Sequence, residues 1–166
     1  MHKRLICSFG GVGLIPGMPG TYASLLAAVI FYLLWLAIGP AARIVAGVLV
    51  LGVGAIGLAT WSWSRDEFKA PDARQFVLDE VAAQWLTLLF IPLEGHVMSY
   101  VAVGFFLFRG FDVAKPWPVS AIDRMAGPWG PMFDDVAAAV YSGLLFWALF
   151  HATHALVGTE VIAALG

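Results

Sequence analysis

Charge is what this chain of 166 residues has least of: Lys, Arg, Asp and Glu together make up 12% of it. A water-soluble domain carries about 25%. With 61% hydrophobic residues and a mean hydropathy of +0.86, the chain has too few polar side chains to cover a soluble surface. Lipid must cover much of it. The single cysteine, Cys7, excludes an internal disulfide and fits a small buried apolar side chain. A basic excess is missing too, and the net charge of −2 gives no electrostatic footing for nucleic acid. Flexible linkers and low-complexity tracts are absent, which leaves one domain over residues 1–166. Residues 1–8 begin like a signal peptide, but glycine and proline fill residues 10–20, where its apolar core should continue. The expectation is an uncleaved N-terminus.

What the chain has in abundance is apolar runs. Crossing about 30 Å of hydrocarbon takes roughly 20 helical residues. Residues 22–39 hold no charge and predict one span; residues 44–63 predict a second, joined to it by a Gly39-Pro40 turn. Residues 65–75 carry Arg65, Asp66, Glu67, Lys69, Asp72 and Arg74 and predict a surface loop. The next apolar stretch is broken by Pro92, Glu94, Gly95 and His96, and its halves, 79–93 and 97–108, are each too short to span comfortably. They predict a short-helix hairpin. Residues 136–157 predict the last full span. The expected fold class is all-α: a polytopic membrane helical bundle with about three full spans plus the hairpin.

Lysine and arginine placement orients such a bundle. With the N-terminus in the cytoplasm and each helix crossing once, Lys3, Arg4, Arg65, Lys69, Arg74, Arg109, Lys115 and Arg124 all fall inside, and Arg43 alone falls outside. The same arrangement places every carboxylate inside except Glu94 and Glu160. Acids barely affect orientation, so their gathering on one face points to function.

Three segments converge on that face. Residues 10–21 form a glycine- and proline-rich loop ending in Gly20 and Thr21, ahead of the first span. Glycine lets backbone N–H groups approach an anion, Thr21 is a plausible N-cap, and helix N-termini favour phosphate. The loop lacks the Gly-Lys-Ser/Thr ending of a Walker motif, and by itself it is equally a plain turn. Asp79-Glu80 is a carboxylate pair at the mouth of an apolar helix. Alone, it is explained as well by the helix dipole as by a metal or a general base. The third segment holds Arg109, Asp112 and Lys115 at helical spacing, ended by Pro116, and then a second pair, Asp134-Asp135, opening another apolar helix. A solvated ion-paired face explains the trio but not two acidic pairs at two helix mouths.

Four close carboxylates repel one another unless protonated or bridged by a cation. Oxygen ligands beside phosphate-binding bases suit Mg2+, which keeps several waters and takes substrate phosphate oxygens as ligands. Asp79, Glu80, Asp134 and Asp135 are therefore the expected metal ligands or general base, without a division of roles among them. Asp112 either joins them or orients Lys115. Gly20, Thr21, Arg109 and Lys115 are the expected phosphate contacts. A metal-held water is the preferred nucleophile and a phospho-aspartate the alternative. His151 and His154, three apart in the last helix, fall at the opposite membrane face and are expected to be interfacial. Trp61, Trp63 and Trp117 are expected as interface anchors.

At these residues the chain resembles the phosphatidylglycerophosphatase A family of bacterial membrane lipid phosphatases. The resemblance runs from about Phe9 to Tyr141. It rests on Pro16-Gly17-Met18-Pro19-Gly20-Thr21, Val77-Leu78-Asp79-Glu80, Phe108-Arg109 with Asp112, Lys115-Pro116-Trp117-Pro118, Asp123-Arg124 and Asp134-Asp135. It implies an all-helical protein of the bacterial inner membrane, with its active site on the cytoplasmic face. It also implies Mg2+-dependent removal of the terminal phosphate from the phospholipid phosphatidylglycerophosphate, giving phosphatidylglycerol. The chain departs from the family pattern at Gly127-Pro128-Trp129-Gly130-Pro131, where a double glycine is usual, and at Ala23, Ala83 and Ala139, where glycines are usual. A small cation-coupled transporter or scaffold is the alternative; it would place its acids near the midplane in broken helices.

Overall fold

The computed structural model describes residues 2–69, 73–125, 127 and 129–165, with side chains to residue 155. Asp72, Pro128 and the Glu160 side chain lie outside the described residues. The described residues are helical or in turns: α1 His2–Cys7, α2 Pro19–Ile38, α3 Ala42–Phe68, α4 Leu78–Leu88, α5 Val97–Ala114, α6 Val119–Asp123 and α7 Trp129–Leu165, with short 3-10 turns at Val12–Leu14 and Gly39–Ala41. Three stretches are long and apolar enough to cross a membrane: Pro19–Phe68, Val97–Ala114 and Trp129–Ala155. The first is α2 and α3 together, divided where Gly39 takes a φ of 58°.

Several helices run further than composition predicts, because a helix continues while its backbone bonds are satisfied, whatever its outward side chains carry. α3 takes in Arg65, Asp66 and Glu67, which the sequence assigns to a loop. α5 absorbs Arg109 and Asp112 and reaches 18 residues, long enough by itself to cross; only α4, at 11 residues, remains a short member of the expected hairpin. α7 starts at Trp129 with Pro131 in its first turn, where the missing N–H costs nothing, so Asp134-Asp135 occupies the second turn and not the mouth.

α4 is the axis of the bundle. It packs against α2, α3, α5 and α7, and nine of its residues are buried, among them Asp79, Gln84, Trp85 and Thr87. Small side chains allow this approach: Ala23, Ala83, Ala138 and Ala139 are all fully buried. Three of these are positions where the family usually has glycine, and the added methyl is accommodated. The Trp85 indole N–H donates to the Ala27 carbonyl at 2.8 Å, and Thr87 Oγ1 donates to the carbonyls of Ala83 and Ala139. On the outside, Ile44, Val48 and Leu51 form a stripe of α3 at 65–75% exposure, and Phe106 of α5 is 71% exposed. Such faces belong in lipid.

Both ends of the bundle are pinned. Where α2 turns into α3, the Trp35 indole donates to Leu93 O at 3.3 Å and Arg43 to Ile91 O at 2.5 Å. The turns after α4 therefore reach that end, and α2, α4 and α7 all start at the other.

Packing this close predicts a contrast between two glycines. A Cβ at Gly143 on α7 would overlap the Phe90 ring, whereas one at Gly47 on α3 meets nothing within 4 Å. Gly143→Ala should destabilise the protein by about 1–3 kcal/mol, while Gly47→Ala should leave it unchanged or slightly more stable. Thermal unfolding in detergent checks both.

Candidate active site

The starts of α2, α4 and α7 and the ends of α3 and α5 enclose one cavity of about 330 Å³. Its lining includes every residue expected to act: Gly20, Thr21, Asp79, Glu80, Arg109, Asp112, Lys115, Asp134 and Asp135. Arg74, Ser64 and Asp123 also line it, and sequence reasoning gave none of these a role; Trp61, expected as an interface anchor, lines it as well. Arg74 sits in a connection whose only signal is its charge. Asp123 belongs to a quoted motif but has no periodicity to place it.

The carboxylates divide into two groups. Asp79, Glu80 and Asp135 each present an oxygen within 4.8 Å of the others. Asp134 instead turns to Lys115, whose ammonium lies 2.5 Å from Asp134 Oδ2 and 2.6 Å from Asp123 Oδ1. Both acidic pairs repeat one local device. The first carboxylate accepts the amide of the second residue: Glu80 N–H to Asp79 Oδ1 at 3.0 Å, and Asp135 N–H to Asp134 Oδ1 at 2.9 Å. Asp79 is held well above the usual carboxylate range, first by burial, then by the neighbouring Glu80 and by Asp135. Burial likewise raises Glu80. Asp123 is lowered by the Lys115 hydrogen bond. Burial pulls Lys115 down, but its bonds to Asp123 and Asp134 outweigh that and raise it.

The expected Arg109, Asp112, Lys115 trio does not stay on one helical face. Arg109 and Asp112 pair one turn apart at 2.5 Å, so Asp112 orients Arg109 and not Lys115. Lys115 follows the last residue of α5 in a left-handed conformation, φ 42°, which swings it towards α6 and α7. Arg109 also donates to Ser24 Oγ at 3.5 Å, and Ser24 donates to Gly20 O at 2.9 Å.

Thr21 is not the N-cap. α2 starts at Pro19 with Met18 capping, so Thr21 stands in the first turn with its hydroxyl buried and unpartnered. The Gly20 and Thr21 amides belong to that turn and have no acceptor within the helix. Gly20 has a further reason to be glycine: a Cβ there would collide with Glu80 Oε1. His151 and His154 stack on Trp147 and Phe150, each at 4.4 Å. They lie about 24 Å and about 28 Å along α7 from Asp135 by helix rise.

Three carboxylates converging with Glu80 Oε2 buried and unpartnered fit a cation, because each has an oxygen in need of positive charge. Among the described residues this is the one group of three or more acidic, histidine or cysteine side chains suited to a metal. It lies at the end of the bundle and not midway, which disfavours the transporter arrangement.

Helices apolar enough to cross a membrane, around a cavity of paired carboxylates with an arginine and a lysine beside them, fit the class of a membrane-embedded lipid phosphatase. Within that class, a family profile described as Phosphatidylglycerophosphatase A matches residues 5–150, and the chain belongs to that family. It is 34% identical over 147 residues to Phosphatidylglycerophosphatase A of Escherichia coli, covering 85% of this chain and 80% of that protein. It is 28% identical over 140 residues to Phosphatidylglycerophosphatase A of Haemophilus influenzae, covering 84% and 83%. A Bacteroides thetaiotaomicron protein with the provisional name phosphatidylinositol-3-phosphatase is 34% identical over 141 residues, covering 81% and 85%. No solved structure matches the chain.

The Gly20–Glu80 contact yields a prediction. Gly20→Ala must push Glu80 off its position, and a misplacement of about 1 Å costs roughly 10²-fold in rate. Phosphatase activity should fall by about that factor while the detergent-solubilised protein keeps its helical circular dichroism. Wild-type activity in this variant means Glu80 tolerates displacement.

Proposed function

We propose that the chain, acting as one membrane-embedded domain in the bacterial inner membrane, hydrolyses the terminal phosphate of phosphatidylglycerophosphate to phosphatidylglycerol and inorganic phosphate, with Mg2+ as cofactor. The observation that carries this is the charge of the cavity. Among the described residues, Asp79, Glu80, Asp112, Asp123, Asp134 and Asp135 share the cavity with three bases, Arg74, Arg109 and Lys115. A phosphate dianion cannot enter an acidic cavity of this kind unless a divalent cation enters too.

Asp79, Glu80 and Asp135 would hold the ion, while Asp134 holds Lys115. When bound, Mg2+ supplies neutralisation of the phosphate, polarisation of phosphorus and a water of lowered pKa. The chain's own residues do the rest. Arg109, braced by Asp112 and Ser24, presents its guanidinium to the non-bridging oxygens. Lys115 exchanges its carboxylate partners for a phosphate oxygen, and the Gly20 and Thr21 amides add donors at the start of α2. A carboxylate of the cluster accepts the proton of the attacking water. The new O–P bond forms as the ester O–P bond breaks, and the headgroup oxygen leaves with a proton. The lysine and arginine bias supports a cytoplasmic position for this end of the bundle, where a headgroup and water would meet at the inner leaflet.

Phosphatidylglycerophosphate is the substrate in the family's own description, and the phosphoinositide in one relative's name shares its reacting group, a phosphate monoester on a phosphatidyl headgroup. The deciding assay is phosphate release from phosphatidylglycerophosphate by purified protein, with Mg2+ or EDTA. Activity should require Mg2+ and fall by about 10²–10³-fold in Asp79→Asn and Asp135→Asn. Mg2+ should also raise the unfolding temperature of the wild type but of neither variant. Full activity in EDTA, or in both variants, sinks the metal-dependent mechanism.

A further inference from the structure

We propose that Arg74 is a second phosphate-binding group, taking the phosphodiester of the lipid headgroup while Arg109 and Lys115 take the terminal monoester. This rests on the phosphatase reading above and names what the other side of the cavity recognises. The lipids in the family's description and in the relatives' names share a pattern: a monoester at the tip of the headgroup and a singly charged diester joining that headgroup to diacylglycerol. An acidic cavity that accepts such a molecule needs positive charge at two places.

The three bases are placed accordingly. α3 packs against α2, α4 and α7, and α5 packs against the same three helices, so α3 and α5 flank α4 from different sides. Arg109 and Lys115 belong to the end of α5 and are engaged with Asp112, Asp123 and Asp134 beside the carboxylate cluster. Arg74 belongs to the connection between α3 and α4 and lines the same cavity with Trp61 and Ser64 of α3. It is exposed, whereas Asp79, five residues on, is 6% exposed. Arg74 therefore marks the mouth and Asp79 the floor. The reacting monoester goes to the floor, where the carboxylates are, which leaves the diester at the mouth. A guanidinium binds two phosphate oxygens at once without a protein partner to brace it. Phosphatidate, whose only phosphate is the monoester, gains nothing from Arg74.

The test compares wild-type protein with Arg74→Gln in mixed micelles with Mg2+. The lipids are phosphatidylglycerophosphate and phosphatidate of the same acyl chains, with phosphatidylglycerol and inorganic phosphate as inhibitors. Arg74→Gln should raise KM for phosphatidylglycerophosphate about tenfold with kcat changed less than about twofold, and weaken inhibition by phosphatidylglycerol by a similar factor. Turnover of phosphatidate and inhibition by inorganic phosphate should not move, and Arg74→Lys should recover part of the loss. An unchanged KM, or equal losses on both lipids and both inhibitors, overturns the assignment. If the wild type leaves phosphatidate untouched, the two inhibitors decide alone. A wild type inert on phosphatidylglycerophosphate sinks the functional reading and this inference with it. An active wild type with either overturning pattern sinks this inference alone.

Discussion

Repulsion among Asp79, Glu80 and Asp135 is the constraint around which the rest of the molecule is arranged. Two unit charges 4.8 Å apart repel by about 3 kcal/mol at an effective dielectric constant of about 20. Three such pairs approach the whole net stability of an ordinary domain, about 5–15 kcal/mol. The cluster persists in a folded protein only if protons or a cation relieve it. Burial pushes Asp79 and Glu80 towards protonation, and a divalent ion is the alternative that leaves the carboxylates charged. The proposed function uses that alternative, because an ion held by carboxylates at a lipid boundary would retain capacity for phosphate oxygens.

Holding three acids so close requires backbones that approach closely. At Gly20 of α2 an added Cβ would collide with the Glu80 carboxylate of α4, so the missing side chain leaves that carboxylate its place. At the start of α7 it is backbone that approaches: a Cβ at Gly130 would stand 2.6 Å from Met125 O and 2.9 Å from Asp123 O. Glycines near the site therefore serve close approach, beside any contact their amides make.

Much of this was legible in the sequence, and the failures share a cause. The all-helical class, the membrane spans and the convergence of residues 20–21, 79–80, 109–115 and 134–135 follow from apolar run length and from the gathering of charge in a charge-poor chain. Helix ends did not follow. Charged residues such as Asp66 and Glu67 read as loop because they interrupt an apolar run, yet a helix leaving the membrane carries them without penalty. Partner choice was legible only in part. The helical spacing places Arg109, Asp112 and Lys115 along one side, but nothing local shows that Asp112 pairs with Arg109, or that Lys115 leaves the helix in a left-handed turn and crosses to Asp134. Gln84 escaped notice for a related reason. A single amide in an apolar helix has no pattern, and only the packed structure shows it fully buried with both polar atoms unpartnered.

The economy of charge ties these points together. The chain has eleven acidic residues, and among the described residues six of them line one cavity. Acids do little to orient a membrane protein and cost free energy wherever lipid surrounds them, so neither topology nor solubility explains their concentration at one end. Two of the bases in the cavity are in turn held by acids: Arg109 by Asp112, Lys115 by Asp123 and Asp134. Under the proposed function a phosphate entering the cavity would meet cations already aimed, and would displace carboxylates that a metal ion could then share. Without substrate or metal the same residues neutralise one another in part, which lets a strongly polar site exist at the edge of hydrocarbon. The bundle thus positions opposite charges so that each group is tolerable alone and becomes fully used when lipid phosphate and cation arrive together.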